Sequence, residues 1–278
     1  MKIAIVGLGL IGGSFLKASQ KAGLDVVGLH HGDTTGYEAA DLIVVCLPPE
    51  AIVPWIRAHA GGIKAGATVI DICGVKTDIC REMAEFLAQE PRPAFTFVGG
   101  HPMAGREVAG FENALADLFV GASMIVTPFE GTSEATLETL KSYFAAIGFQ
   151  MTVVTSPRRH DEMIAFTSQL CHIISTAFAR DERVAESIGF SAGSYADMTR
   201  IATQNEDDWS SLYHSNKKAL LTVLDGFIDR MVEFRAALAD NDIEGMKKFI
   251  VAGTVAKKAE LAKRKAYVPR GDEPFRRN

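Results

Sequence analysis

The chain has 278 residues, 47% of them hydrophobic, with 29 Lys and Arg against 34 Asp and Glu for a formal net charge of −5. That length buries a substantial core in one large or two medium domains, and the acidic balance leaves no electrostatic footprint for nucleic acid or an anionic membrane. No apolar run approaches the roughly 20 residues of a membrane span, and the first residues read as a folded strand rather than a signal peptide, so a soluble, cytoplasmic protein is expected.

The first element is a strand, Lys2-Ile3-Ala4-Ile5-Val6, which passes directly into Gly7-Leu8-Gly9-Leu10-Ile11-Gly12-Gly13-Ser14 and then a helical pattern through Phe15, Leu16, Ala18 and Ala22. Strand, glycine turn and helix in this order form a dinucleotide-binding fingerprint. The first glycine allows the turn, the second lets the backbone approach a pyrophosphate, and the third packs helix against strand, while the helix N-terminus presents free N–H groups to the anion. Gly7, Leu8, Gly9, Leu10, Ile11 and Gly12 are assigned to the cofactor on this basis. A second strand follows over residues 25–30. Its end is where NAD-binding folds place an Asp or Glu on the ribose 2′-hydroxyl, and here stand His30 and His31. Without a carboxylate to repel it a 2′-phosphate is tolerated, and a partly protonated imidazole pairs with it, which favours NADP. Asp33 lies close enough to keep NAD open, and no Arg follows to clamp a phosphate.

Residues 32–40 are too few for a full helix before the next strand, 41–47, so the second half of the mononucleotide unit is abbreviated. Leu47 and Pro48 at that strand's end complete the cofactor set, and Pro48 opens a helix to residue 60. Strands over 67–71, 94–98, 124–126 and 150–154, with helices over 76–88 and 133–147, continue the alternation and argue for a doubly wound, largely parallel sheet of Rossmann type. Gly99-Gly100-His101-Pro102-Met103-Ala104-Gly105 reads as a loop, because glycine and proline punctuate chains. A histidine there, with an ordinary pKa of about 6.5, changes protonation state near neutral pH, and His101 is the candidate acid/base residue.

At Ser156-Pro157 the texture changes. A cap followed by proline at the first helical position begins an all-helical half, with helices expected near 158–179, 191–202, 207–215, 217–239 and 243–265. The domains are therefore read as 1–155, dinucleotide-binding, and 156–278, helical, with the active site in the cleft above the carboxyl ends of the strands. Ser168, His172 and Ser175 form a polar stripe at i, i+4 and i+7 on an otherwise apolar helix. Such a stripe meets water, a partner or a ligand, unless its serines bond back to the preceding turn. Arg200, within Asp197-Met198-Thr199-Arg200-Ile201-Ala202, either pairs with an acid such as Asp197 or clamps a carboxylate in bidentate fashion. The last two helices carry more apolar surface than a small monomeric domain needs, which points to a homodimer through the helical half. Cys46, Cys73, Cys80 and Cys171 form no CxxC pair and the histidines no HxxxH group, so reduced thiols and no metal are expected.

The glycine turn at 7–14, Asp71-Ile72-Cys73-Gly74-Val75-Lys76, the His101 segment and the Arg200 segment occur in the order and spacing of the prephenate/arogenate dehydrogenases of tyrosine biosynthesis. The chain resembles that family over nearly its whole length, most specifically in its His-Pro-Met segment. Related β-hydroxyacid dehydrogenases share the fingerprint but use a helical lysine, and no lysine occurs between Lys141 and Lys217. The resemblance implies oxidative decarboxylation of prephenate or arogenate: hydride leaves C4 of a cyclohexadienol for the nicotinamide, the C1 carboxylate departs as CO2, and aromatisation drives the step. It implies that His101 takes the 4-hydroxyl proton, that Arg200 holds a substrate carboxylate, that His172, with Ser168 on the same stripe, lies on the substrate side, and that His160 lies close to the cofactor. Prephenate is the favoured substrate. Glu107 or Glu112 near a side-chain ammonium would favour arogenate, although both also read as helix-start acids. Members often carry a serine bonded to the catalytic histidine where this chain has Gly74, which leaves open what orients His101. The helices run almost to Asn278, so no appended regulatory or mutase domain is expected. Two other readings are a related β-hydroxyacid or imine-reducing enzyme and a non-enzymatic NADP(H) sensor.

Overall fold

The computed structural model describes residues 1–30, 32–89, 92–106 and 108–267, with side chains to residue 264; His31 and Glu107 lie outside the described residues. The chain forms two compact units, Met1–Lys217 and Lys218–Asn278. In the first, β1 (Lys2–Val6), α1 (Leu10–Lys21), β2 (Asp25–Leu29), β3 (Leu42–Val45), α2 (Pro49–His59), β4 (Thr68–Asp71), α3 (Thr77–Leu87), β5 (Thr96–Pro102), β6 (Ser123–Pro128), α4 (Glu134–Ala146) and β7 (Met151–Val154) build one sheet of order β2-β1-β3-β4-β5-β6-β7. The strands from β2 to β5 pair in parallel. Alternate residues of one strand feed opposite cores, Ala4 and Val6 towards Ile52, Ile56 and Met83, and Ile3 and Ile5 towards Phe15 and Phe144. Burial on both faces is why β1 and β3 read as unbroken apolar runs, as parallel sheets require.

Among the described residues no helix joins β2 to β3. Instead Tyr37 is buried edge-on against Trp55 and His59 of α2, with ring centroids 5.5 and 5.4 Å apart, and this small plug replaces the crossover helix.

The His101 segment is a loop only from Met103 on. Gly99, Gly100, His101 and Pro102 belong to β5, and β6 runs antiparallel to them, with His101 opposite Ile125. The glycines are there for close approach rather than turning: a Cβ on Gly99 would lie 2.3 Å from Thr127 Oγ1, and one on Gly100 would lie 2.5 Å from the Asp71 carbonyl oxygen.

After Ser156, whose hydroxyl accepts the Arg159 N–H, come α5 (Pro157–Ile164), a π turn (Ala165–Gln169), α6 (Leu170–Ala179), α7 (Gly193–Thr199) and α8 (Glu206–Ser215). The single helix expected over 158–179 is thus interrupted. The interruption turns Gln169 inward, where its amide donates to the Leu212 carbonyl and its oxygen accepts from Asn216. The helix expected over 191–202 is shorter than its pattern and ends at Arg200, the C-cap of α7.

The second unit is a helical hairpin, α9 (Lys217–Ala239) and α10 (Ile243–Tyr267), reversed at Asn241 in the left-handed region (φ 53°). Phe234 and Phe249 meet inside it at 5.1 Å, and Asp242 caps α10 through the Gly245 N–H.

Candidate active site

The glycine turn sits at the carboxyl edge of β1. Gly7 has φ +88°, and a Cβ there would lie 2.5 Å from the Cys46 carbonyl oxygen; a Cβ on Gly12 would lie 1.9 Å from the Gly7 carbonyl oxygen. Both positions exclude any side chain. Around Gly9, by contrast, an added Cβ meets no protein atom within 4 Å, and Gly9 caps α1 without a side-chain bond to its first N–H groups. Open space above uncapped helix donors is the environment a pyrophosphate requires, so the residues fit a dinucleotide. Leu8 packs over Gly28, Leu47 leans on Gly7, Leu10 is buried, Ile11 is half-buried and Pro48 precedes α2 as an exposed cap. His30 is exposed at the end of β2, and its backbone N–H donates to Asp33 Oδ2 at 2.7 Å. Asp33 is therefore turned back onto the strand.

His101 opens on the same sheet edge, three strands away, or about 14 Å at ~4.8 Å per strand. Its frame is a fully buried ion pair. The Lys76 ammonium donates to Asp71, which also accepts the N–H groups of Cys73 (2.9 Å) and Gly100 (3.2 Å), tying the β4–α3 loop to β5. Held in this frame, His101 places Nδ1 2.9 Å from Nε2 of His160, and His160 Nδ1 donates to Asp161 Oδ1 at 2.8 Å. Asp161 in turn accepts the backbone N–H groups of Lys76 and Thr77, each at 2.8 Å. His160 is 1% exposed. Burial raises the Asp161 carboxyl, but hydrogen bonds from His160, Thr77 and Lys76 outweigh it and hold the group below its ordinary range. Burial lowers the His101 imidazole well below 6.5, reinforced by His160 and Lys76 and opposed by Asp161. His101 is accordingly neutral at pH 7.

Gly74 lies beside the other edge of the ring: a Cβ there would be 3.8 Å from His101 Nε2, 3.9 Å from Cε1 and 3.5 Å from Leu212 Cδ2. The position where the resemblance implies a serine is adjacent to Nε2, and what braces the ring from behind is His160. The resemblance implies His160 close to the cofactor, and the structure places it against His101. Asp161 escaped sequence reasoning altogether, and its one local signal is a carboxylate following histidine on the buried face of α5 with Ile164.

His172 Nδ1 donates to the Ser168 carbonyl at 3.0 Å, and its ring lies 3.9 Å from that of Trp209 on α8. Leu212, one turn on from Trp209, borders Gly74 and so places His172 and His101 along the same helix. Ser168 is half-buried within the π turn; Ser175 is buried, and its hydroxyl meets no hydrogen-bond partner among the described residues. Arg200 is exposed at the end of α7. The chain after it is tied to α6 through Gln204, whose amide reaches the Ile201 and His172 carbonyls and the Thr176 hydroxyl, while Tyr213 donates to its oxygen. Trp209, Gln204 and Tyr213 carry no sequence signal, since each is defined by partners on other helices. Among the described residues no group of three His, Cys, Asp or Glu could hold a metal ion, and no helix is long and apolar enough to cross a membrane. All four cysteines are free, Cys171 being exposed.

Comparison with known proteins follows the two-part architecture. Residues 10–153 match the family described as prephenate dehydrogenase, nucleotide-binding domain, and residues 156–251 match prephenate dehydrogenase, dimerization domain. A cyclohexadienyl dehydrogenase of Zymomonas mobilis is 30% identical over 268 residues, covering 86% of this chain and 89% of that protein. The fold is shared with Synechocystis arogenate dehydrogenase, at a TM-score of 0.78 and 23% identity over 96% of this chain and 100% of that one. It is shared equally with the A. aeolicus prephenate dehydrogenase in complex with hydroxyphenyl propionate and NAD+, at 0.78 and 23% over 94% and 98%. With both halves matched in order and a relative aligned along most of its length, the chain belongs to the prephenate dehydrogenase family of NAD(P)-dependent dehydrogenases.

Proposed function

We propose that the chain oxidatively decarboxylates prephenate to 4-hydroxyphenylpyruvate, with His101 as the base that takes the 4-hydroxyl proton. The observation that carries this reading is a neutral imidazole whose Nε2 edge borders Gly74 while its Nδ1 edge is held by His160, on the sheet edge that also carries the glycine turn. A base for a hydroxyl that grows acidic as hydride departs needs an available lone pair more than a high pKa. Gly7, Leu8, Gly9, Leu10, Ile11 and Gly12 hold the pyrophosphate, Leu47 and Pro48 border it, and the cofactor supplies the hydride-accepting ring when bound. Arg200 takes a substrate carboxylate, best the side-chain one: a bidentate grip on the leaving group would oppose its departure. His172, steadied by Trp209, and Ser168 line the substrate side.

NADP is the proposed cofactor in preference to NAD. Support comes from the exposed His30 and from Asp33, whose carboxylate already serves the His30 N–H. The proposed assembly is a homodimer through the helical half, in keeping with the dimerization-domain match, and the free thiols suit a reducing cytoplasm. A spectrophotometric assay of prephenate and arogenate, each with NAD and NADP, tests the reading. The highest kcat/KM is expected for prephenate with NADP. A clear arogenate preference transfers the activity to that substrate, and no turnover of either, with cofactor still bound, leaves a sensor.

A further inference from the structure

The hydrogen-bond chain behind His101 determines where its protons sit. Asp161 is ionised and can only accept, so the proton between it and His160 belongs to His160 Nδ1. With two protons on the two imidazoles, His160 Nε2 is then a bare acceptor, the bond between the rings is donated by His101 Nδ1, and His101 Nε2 is left with its lone pair. One further proton has a defined place. If it arrives at His101 Nε2, the Nδ1 proton can pass to His160 Nε2, and the positive charge then lies on His160 against the Asp161 carboxylate.

We propose that His160 and Asp161 are the positioning residues of the reaction: they set the Nε2-bare tautomer of His101 and take up the charge it acquires. The step balances as a proton relay. The substrate hydroxyl loses a proton to His101 Nε2, the His101 Nδ1–H bond breaks as His160 Nε2–H forms, and the electron pair stays on the substrate oxygen. The other charged groups around the chain, Asp71 and Lys76, form a closed pair and neither donates to nor accepts from either imidazole. This inference rests on the proposed base role of His101, but its first test needs no substrate.

Long-range 1H–15N NMR of the imidazoles in the resting protein is expected to show His101 protonated at Nδ1 and bare at Nε2, with His160 likewise protonated at Nδ1. A resting His101 protonated at Nε2 overturns the proposal whether or not the protein turns over prephenate. Asp161→Asn keeps an oxygen for the His160 Nδ1 proton, since that same oxygen also takes the Lys76 N–H, but it removes the negative charge against which the relayed proton settles. A kcat loss of about a hundredfold or more is expected, with KM changed less than about threefold. His160→Gln keeps an acceptor for His101 Nδ1 but cannot take up charge, so the tautomer should persist while kcat still falls about tenfold and the acid limb of the pH profile moves. Wild-type kcat in both variants overturns the relay. Asp161 also holds two backbone N–H groups, so if Asp161→Asn does not fold, the wild-type spectrum and His160→Gln decide.

Discussion

At the scale of single residues, the proposed base His101 is an imidazole whose proton affinity is lowered by burial and whose Nδ1 is held by His160. Its depressed pKa keeps it neutral below the ordinary range, so the acid limb of kcat/KM is expected below pH 6.5; a limb at or above 6.5 would contradict the burial argument. The same shift acts on stability. As pH falls through about 6.5 the unfolded chain takes up a proton at this histidine that the folded site refuses, so its contribution to stability is full above that pH and lost below it. His101→Asn should lower kcat by about 10²–10⁴-fold while fluorescence titration still shows dinucleotide binding, because the glycine turn is three strands away. Gly74 offers a complementary test. Its added Cβ finds only ordinary contacts with Leu212 and His101, so Gly74→Ser is expected to melt within about 4 °C of the parent and to keep kcat within about tenfold. A larger drop in melting temperature would mean that position 74 has no room for a serine.

At the scale of elements, the site depends on two carboxylates that no single helix or strand could satisfy alone. Asp71 ties the β4–α3 loop to β5, and Asp161 ties α5 to the start of α3. Removing one partner of a buried pair leaves an uncompensated charge, so Lys76→Met should cost about 3–5 kcal/mol, read as a lower urea midpoint, although the replacement is apolar and close in volume. A midpoint equal to wild type would mean that Asp71 is satisfied by its backbone donors alone. The π turn works similarly: Gln169 gives up the α-helical ladder and gains Leu212 and Asn216, and Asn216 also reaches the Asp161 carbonyl, so the turn belongs to the same brace.

At the scale of the whole molecule, the α9–α10 hairpin leaves Val232, Ile250, Val251 and Val255 each 58–61% exposed. Such a surface is costly in water and characteristic of association. Light scattering at micromolar concentration is expected to return about twice the 30.0 kDa chain mass, and Ile250→Asp combined with Val255→Asp should halve it. A wild-type monomer at that concentration would exclude the homodimer.

What the amino-acid sequence determined by itself is whatever depends on near neighbours. The glycine turn is legible because Gly7 itself takes φ +88° and the demand at Gly12 comes from the Gly7 carbonyl, five residues back. The buried strands are legible because both faces are covered, and the starts of α4 and α5 because Ser133 and Ser156 bond three residues ahead. The missing crossover helix follows from counting residues. The tertiary structure alone decided that residues 99–102 are a strand, since Gly99 and Gly100 are explained by Thr127 and Asp71, 28 and 29 residues away. It alone joined His101 to His160 across 59 residues and bent a periodic helix at Gln169 for a partner 47 residues on. Periodicity and turn chemistry encode local sterics, whereas hydrogen bonds between elements are satisfied only once the elements have packed, and those distant bonds are what surround His101.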